Sequence, residues 1–98
     1  MNVLEKDVEQ PIKEWADQRG ILNVKLTPMG QSAYPDRIFF LPGGRPLILE
    51  IKRPGEKPKK LQKYIINKLK VLGYDVRWTD SKEEAIRWLT EAILKPKA

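Results

Sequence analysis

Along the chain, segments whose apolar residues recur at the spacing of a helix are followed by segments whose apolar residues recur at the spacing of a strand. Near the N-terminus, apolar residues recur at the spacing of one helix face: Val8, Ile12, Trp15 and Ala16. Gly20 is a typical residue to end such a helix. Pro11 leaves two interpretations, a helix capped at Asp7 whose first turn tolerates the proline, or an earlier-starting helix that bends at Pro11.

Three short strands are predicted in the middle of the chain. Apolar residues alternate with polar ones as in a half-buried strand at Leu22, Val24 and Leu26. Residues 27–35 hold two prolines and a glycine and indicate a loop. Two apolar runs, residues 37–41 and 47–52, are separated by a Pro-Gly-Gly turn and predict a β-hairpin. Because both runs are apolar on both faces, we expect the hairpin inside a covered sheet.

The C-terminal part predicts helix, strand and helix. An amphipathic helix beginning near Pro58 and ending at Gly73 is marked by Leu61, Ile65, Leu69 and Leu72. A strand follows at residues 74–78, and a capping box at residues 81–84 opens a last helix with apolar residues Ala85, Ile86, Leu89, Ala92 and Ile93. The expected fold class is α/β, in the order αβββαβα, with residues 47–52 and 74–78 as parallel neighbours in a mixed central sheet flanked by helices. No repeat or linker divides the chain, so residues 1–98 are expected to form a single domain.

Composition excludes several kinds of chemistry. The chain contains no cysteine and no histidine, so disulfides, thiolate zinc sites, Ser-His-Asp triads and histidine general bases are excluded. An enzyme with this sequence has to work with carboxylates, lysines and an oxygen-liganded metal such as Mg²⁺. No nucleotide cofactor is expected.

The charge points to a polyanionic partner. The net charge is +6 and the isoelectric point is near 9.7, which favours nucleic acid. No apolar run approaches the roughly 20 residues of a membrane span, so no membrane partner is expected. The simplest expectation is a cytoplasmic protein of a bacterium or of a phage-infected host cell.

Three charged residues lie at the ends of the apolar hairpin strands. Glu50 and Lys52 share one strand face because they are two residues apart. Hairpin register decides whether Asp36 joins them. A three-residue loop pairs Leu41 with Arg45 and hence Asp36 with Glu50, whereas a four-residue loop pairs Asp36 with Ile51 and separates the carboxylates. The two glycines of the turn favour the three-residue loop with a bulge.

Two facing carboxylates form a hard, oxygen-rich site suited to Mg²⁺ or Mn²⁺. The carbonyl of Ile51 could complete the ligand set, and Lys52 could orient a water or neutralise charge that builds on a phosphate. The structural alternative is that Asp36 and Glu50 are strand-end charges and that Lys52 only pairs with Glu50. The apolar flanks and the hairpin favour a metal site.

These residues resemble a known family. Pro35-Asp36 followed by Glu50-Ile51-Lys52 looks like the P-D…(D/E)-x-K signature of the restriction-endonuclease-like superfamily, and the element order matches its core. With the Pro-Gly-Gly turn and Gln62, the chain is similar to the VRR-NUC (virus-type replication-repair nuclease) domain of phage and bacterial type. The resemblance implies Mg²⁺- or Mn²⁺-dependent hydrolysis of DNA phosphodiester bonds, on branched DNA such as four-way junctions. It also implies a catalytic role for Gln62 and for a helical glutamate, with Glu5 the best match and Glu9 the second.

Basic residues crowd the segment after the proposed site, and we expect five of them to bind nucleic acid: Arg53, Lys57, Lys59, Lys60 and Lys63. Tyr34 and Tyr64 could stack on a base or sugar, although Tyr64 is expected in the core. The rival interpretation is a non-catalytic basic DNA-binding module that retains the nuclease fold; an RNA-associated protein fits the charge but explains neither carboxylate. A homodimer is expected because a four-way junction needs two symmetric nicks, with Trp88 as a contact.

Overall fold

The computed structural model describes residues 3–26 and 33–95. Its elements, in chain order, are α1 (Glu5–Gln18), β1 (Asn23–Lys25), β2 (Arg37–Leu41), β3 (Arg45–Ile51), α2 (Lys60–Val71), β4 (Asp75–Thr79) and α3 (Lys82–Leu94). The predicted order αβββαβα is therefore confirmed. Part of the predicted 27–35 loop lies outside the described residues.

Helix α1 begins before its proline. The Asp7 carboxylate accepts the Leu4 N–H at 2.9 Å and so satisfies a backbone donor at the start of the helix. Pro11 lies inside the helix, which continues to Gln18. The earlier start is therefore confirmed, the bend at Pro11 stays a prediction, and Asp7 supports the first turn of the helix from within.

The four strands form one mixed sheet in the order β1-β2-β3-β4. Strands β1, β2 and β3 are antiparallel neighbours, and β3 pairs in parallel with β4 as the helical crossover predicts. Leu41 pairs with Arg45 across the Pro42–Gly44 turn, in which Gly43 and Gly44 have φ of 82° and 69°. The three-residue loop is thus confirmed, since positive φ at these positions needs glycine.

Helices cover the sheet unequally. The larger core lies between one sheet face and helices α1 and α3, and it includes Ile12, Phe39, Leu49, Ile51 and Leu89. The smaller core lies under α2, where Ile66 packs with Ile48 and Val76. In the part of the chain that the structure describes, two helices therefore cover one face of the sheet and a single helix covers the other.

This imbalance corrects three expectations about burial. Strand β3 is buried on both faces from Leu47 to Ile51, as expected of a covered hairpin, but Phe40 of β2 is 47% exposed. On the apolar side of β1, Leu22 and Val24 are 69% and 46% exposed, whereas Leu26 is partly buried against the smaller core. On α2, Ile66 and the predicted Leu69 pack toward the sheet, whereas Leu61 and Leu72 are exposed.

The remaining helix begins where the sequence predicts. Ser81 Oγ accepts the Glu84 N–H at 3.2 Å and caps α3. Only this half of the predicted capping box forms, because the Ser81 N–H donates to Thr79 Oγ1 and the Glu84 carboxylate accepts from the same hydroxyl. Trp88 packs against the larger core, with the Arg77 guanidinium 5.1 Å from its ring centroid. Within the described residues, no helix is both long enough and apolar enough to cross a membrane.

Candidate functional site

Asp36 is fixed beside β3 by two hydrogen bonds. Its N–H donates to the Leu49 carbonyl at 2.9 Å, which extends the β2–β3 ladder by one residue beyond Arg37. The Ile51 N–H in turn donates to Asp36 Oδ2 at 2.7 Å. Pro35, directly before Asp36, is almost completely buried and anchors the turn into the strand. One carboxylate oxygen of Asp36 is therefore occupied by the backbone of β3, and the hairpin sets the position of the other.

Three carboxylates meet at this end of the sheet. Oxygen atoms of Glu5, Asp36 and Glu50 all lie within 4.8 Å of one another. Glu5 is exposed at the start of α1, Asp36 is half-buried, and Glu50 is only 2% exposed. The sequence predicted Asp36 and Glu50 to face each other, and the structure places beside them Glu5, the residue that the family resemblance suggested as the helical glutamate.

Burial and mutual repulsion make these carboxyls weak acids. Burial, reinforced by the negative charge of Asp36, raises the pKa of Glu50 to about 8, although Lys52 opposes the shift. Burial also raises the pKa of Asp36 against the opposing hydrogen bond from Ile51. The pKa of Glu5 is raised by burial and then by the charge of Asp36. Three such groups together favour a cation among them.

Glu50 carries a second sign of a cation site. Its Oε1 atom is buried and has no hydrogen-bond partner among the described residues. A buried carboxylate oxygen without a partner costs free energy, and a divalent cation relieves that cost. All donors in the cluster are hard carboxylate oxygens, which suit Mg²⁺ or Mn²⁺. The residues present therefore fit such an ion.

Lys52 lies beside the carboxylates and is 5% exposed. Its ammonium nitrogen is 3.3 Å from Glu50 Oε2 and 3.8 Å from Glu56 Oε1. The Lys52 N–H also donates to the Thr79 carbonyl at 2.8 Å, which ties the end of β3 to β4. A buried ammonium held between two carboxylates keeps its position next to the cluster.

Glu9, the second candidate for the helical glutamate, belongs to a different cluster. It is bound by Arg37, whose Nε donates to Glu9 Oε2 at 3.2 Å, and by Lys25, whose Nζ lies 3.0 Å from Oε1. Asn23 Oδ1 accepts from Arg37 at 2.7 Å and extends this network to β1. The geometry therefore brings Glu5, and not Glu9, to Asp36 and Glu50.

Two predicted site residues have backbone roles that the sequence did not indicate. Gln62 is 8% exposed, and its Oε1 accepts the Lys59 N–H at 2.8 Å, so its carbonyl end caps the start of α2. The Ile51 N–H is bound to Asp36. The catalytic role of Gln62 and the Ile51 carbonyl as a ligand stay predictions.

The predicted nucleic-acid-binding residues lie next to the cluster in the chain. Arg53 is paired with Glu56, with Nε 2.7 Å from Oε2. The remaining side chains are exposed: Lys57, Lys59, Lys60 and Lys63. Four cations thus face solvent without forming an ion pair within the described residues.

Comparison with known proteins agrees with this geometry. No protein-family model matches the sequence. A solved VRR-NUC domain superposes with a TM-score of 0.75 at 26% sequence identity, over 88% of this chain and 94% of that domain. "Putative nuclease p44" of Acyrthosiphon pisum secondary endosymbiont phage 1 is 31% identical over 81 residues, which cover 83% of this chain and 87% of p44. The chain belongs to the VRR-NUC family.

Membership of the VRR-NUC family confirms the predicted restriction-endonuclease-like core. Two residues near the cluster of this VRR-NUC chain were missed from sequence. Arg37 could have been recognised from the sequence, because it shares a strand face with the core residues Phe39 and Leu41. A charged residue on a buried strand face indicates a buried ion pair. Glu56 could not have been recognised, because it lies in an irregular connection whose sequence has no helix or strand period.

Proposed function

We propose that this VRR-NUC chain is a divalent-metal-dependent nuclease that hydrolyses phosphodiester bonds of DNA. The observation that carries the proposal is the cluster of Glu5, Asp36 and Glu50 oxygens within 4.8 Å, beside the buried ammonium of Lys52. The name of the phage relative p44, which describes a nuclease, supports the same reaction.

In this proposal the three carboxylates hold Mg²⁺ or Mn²⁺, and the Ile51 carbonyl is a further candidate ligand. A bound ion of this kind activates a water molecule and offsets the charge that develops on the phosphate. Asp36 contributes the oxygen that the Ile51 N–H leaves available, and Glu50 contributes its partnerless Oε1. Glu5 approaches from α1 and closes the exposed side of the cluster.

Lys52 is the proposed electrostatic residue of the site. Its ammonium group can donate a hydrogen bond to the attacking water or to a non-bridging phosphate oxygen. Its burial between Glu50 and Glu56 keeps the long side chain from searching other rotamers. Gln62 is proposed to support the water from the first turn of α2.

The proposed substrate is branched DNA, such as a four-way junction, and the proposed active form is a homodimer in the cytoplasm of a bacterium or phage-infected cell. The exposed lysines of the segment after Lys52 would bind phosphates of the DNA backbone. Phosphate contacts recognise the shape and charge of the DNA and not its base sequence. Two symmetric nicks on a junction require two sites related by a two-fold axis.

The test is a panel of labelled duplex, flap, splayed-arm and four-way-junction DNAs incubated with Mg²⁺, Mn²⁺ or EDTA. We expect cleavage with either ion and none with EDTA. Asp36→Asn should abolish cleavage, and Lys52→Met should lower the rate about 10²–10³-fold, as for loss of one positioned electrostatic group. Lys95→Met, at an exposed lysine after the end of α3 and outside the proposed DNA-binding segment, is the matched control and should cut at nearly the parental rate.

Binding without cleavage under every metal condition would instead support the rival, a DNA-binding module that retains the fold. A binding module needs no divalent ion, so its affinity would be the same in Mg²⁺ and EDTA at matched ionic strength. Isothermal titration of Mn²⁺ into Asp36→Asn and its parent measures the loss of metal binding, and circular dichroism of both proteins in EDTA shows whether the variant keeps its fold.

A further inference from the structure

Helix α2 presents a basic and aromatic row to solvent. Ile66 faces the sheet, where it packs with Ile48 and Val76. Lys60, Tyr64 and Lys68 follow at intervals of four residues and so line the opposite side of the helix. Tyr64 is 55% exposed, which corrects the expectation that it belongs to the core. The Lys68 ammonium is 5.9 Å from the Tyr64 ring centroid.

The charge of this segment has a single sign. Residues 57–70 contain six lysines and no acidic residue. A second copy of the chain would be a poor partner for this row, because a two-fold contact would place lysines against lysines. A polyanion is complementary to it.

The row lies on the same side of the sheet as the carboxylate cluster. Ile48 points toward α2, and Glu50 and Lys52 follow it at two and four residues on the same face of the strand and its extension. The carboxylate cluster and α2 therefore lie on the same side of the sheet, so one DNA strand on that side can approach both.

The aromatic ring restricts which part of the DNA fits. Cationic side chains are enough to bind the phosphates of a fully paired duplex. An exposed tyrosine between two lysines offers, in addition, a ring on which an unpaired base can stack. Bases of this kind occur at junction centres, flaps and single-stranded gaps. A cation near the ring edge or face also holds the tyrosine in place.

We propose that the outer row of α2 binds unpaired nucleotides of the DNA substrate, with a base stacked on Tyr64 and flanking phosphates on Lys60 and Lys68. The inference rests on the proposed function for the identity of the substrate as DNA. It adds a preference for a strand with unpaired bases next to the cut site, which the carboxylate cluster does not explain.

The test measures binding in EDTA, so that hydrolysis cannot interfere. Fluorescence anisotropy would compare a gapped duplex with an unbroken duplex of the same length. Tyr64→Ala should weaken binding to the gapped DNA by about 5- to 100-fold, the range for loss of one stacked base, and leave the unbroken duplex unchanged. Tyr64→Phe keeps the ring and should bind as the parent does.

Two further measurements separate stacking from charge. A 2-aminopurine base placed in the gap should lose fluorescence on binding to the parent and to Tyr64→Phe, but not to Tyr64→Ala. Lys68→Met should lower the slope of log affinity against log salt by up to about one unit while the quenching persists. Tyr74→Ala, a similarly exposed tyrosine outside α2 (50% exposed), is the matched control and should change neither measurement.

Equal losses on gapped and unbroken DNA, or no loss with Tyr64→Ala, would overturn the inference. Its failure is distinguishable from failure of the proposed function. If the parent cleaves DNA in a metal-dependent way but Tyr64→Ala binds normally, only the stacking proposal is wrong. If Tyr64→Ala weakens binding to gapped DNA but the parent never cleaves, the nuclease proposal is wrong and the stacking proposal stands.

Discussion

At the scale of single residues, Glu50 is the least favourable side chain for the metal-free protein. It is 2% exposed, one of its oxygens lacks a hydrogen-bond partner among the described residues, and Asp36 lies next to it. Lys52, 3.3 Å away, is the one cation that pairs with Glu50 among the residues that the structure describes. A residue that costs stability in the empty site is typical of a ligand whose compensation arrives with a bound cation.

This cost predicts a pH dependence of stability in EDTA. Because the pKa of Glu50 is raised from 4.5 to about 8, folded Glu50 keeps a proton that the unfolded chain has already released. The free energy of unfolding should therefore fall as the pH rises through that window. Glu50→Gln should reduce the fall and make the metal-free protein more stable than its parent near pH 9, while cleavage is lost. Urea unfolding followed by circular dichroism at about pH 6 and about pH 9 measures the free energy of unfolding of the parent and of the variant.

The control for that prediction is Glu91→Gln, whose parent side chain is 68% exposed on α3. It should leave the pH dependence unchanged. A parental protein whose unfolding free energy stayed constant or rose between the two pH values would contradict the prediction.

The residues of the site were predictable to different degrees. Asp36 and Glu50 could be paired because a three-residue loop with two glycines fixes the register of the whole hairpin. Glu5 required a family resemblance, since no local pattern says where the start of α1 lies relative to β3. Glu56 was out of reach, because it follows Gly55 at φ of 85° in a connection without a period.

At the scale of elements, α1 is tied to the sheet by the buried pair of Glu9 and Arg37. Their side chains are 11% and 8% exposed, with Lys25 as a further partner of Glu9. Glu9 lies one turn after Glu5, and Arg37 directly follows Asp36. The ion pair therefore connects the helix that carries Glu5 with the strand that Asp36 directly precedes.

Breaking this pair from one side should be costly. Arg37→Met leaves the Glu9 carboxylate buried with fewer partners and should lower the free energy of unfolding by about 3 kcal/mol or more. The double variant Glu9→Met/Arg37→Met should be less destabilised than the sum of the single variants, because no charge is left uncompensated. In the fraction that stays folded, Mn²⁺ affinity should fall because Glu5 loses its fixed distance from Asp36. Urea unfolding and Mn²⁺ titration measure the two effects.

Arg87→Met is the matched control on the surface. The Arg87 side chain is 62% exposed and lies 3.9 Å from Glu91, so its loss should cost less than about 1 kcal/mol. If Arg37→Met lowered the free energy of unfolding no more than Arg87→Met does, the buried pair would not hold α1 in place.

The helices show why burial is harder to predict than element order. In α2, apolar residues occupy two overlapping stripes, and the sequence alone does not say which stripe meets the sheet. Leu61 and Leu72 fit one stripe and are exposed, whereas Ile66 lies on the other and is buried. Helix α3 was predicted correctly because its Ser81 cap fixes the start and its apolar residues form a single stripe.

At the scale of the whole molecule, element order and sheet topology followed from the sequence, but the distribution of helices over the two faces did not. The right-handed crossover rule predicts parallel pairing of β3 and β4, as observed. It does not say that α1 and α3 share one face while α2 is the one helix on the other face within residues 3–26 and 33–95. The apolar residues left exposed on the α2 side, Leu22, Val24 and Phe40, follow from that unequal cover.

The last prediction concerns assembly. The described residues of one chain hold one carboxylate cluster, and one cluster can hydrolyse one strand at a time. A homodimer would place two clusters on symmetric strands of a junction. On a supercoiled plasmid with an extruded cruciform, the parental protein should then produce linear DNA by paired nicks. Dimers of one parental chain and one tagged Asp36→Asn chain should produce nicked circles, because only one cluster is intact.

Mixed dimers of parental and tagged parental chains are the control and should linearise the plasmid. Light scattering at micromolar concentration, with and without junction DNA in EDTA, measures the oligomeric state directly. A monomer under both conditions would remove the homodimer and paired cleavage of junctions, since a monomer cannot coordinate two symmetric cuts. The metal-dependent reaction would remain, and its substrate would have to be a flap or another DNA that requires a single cut.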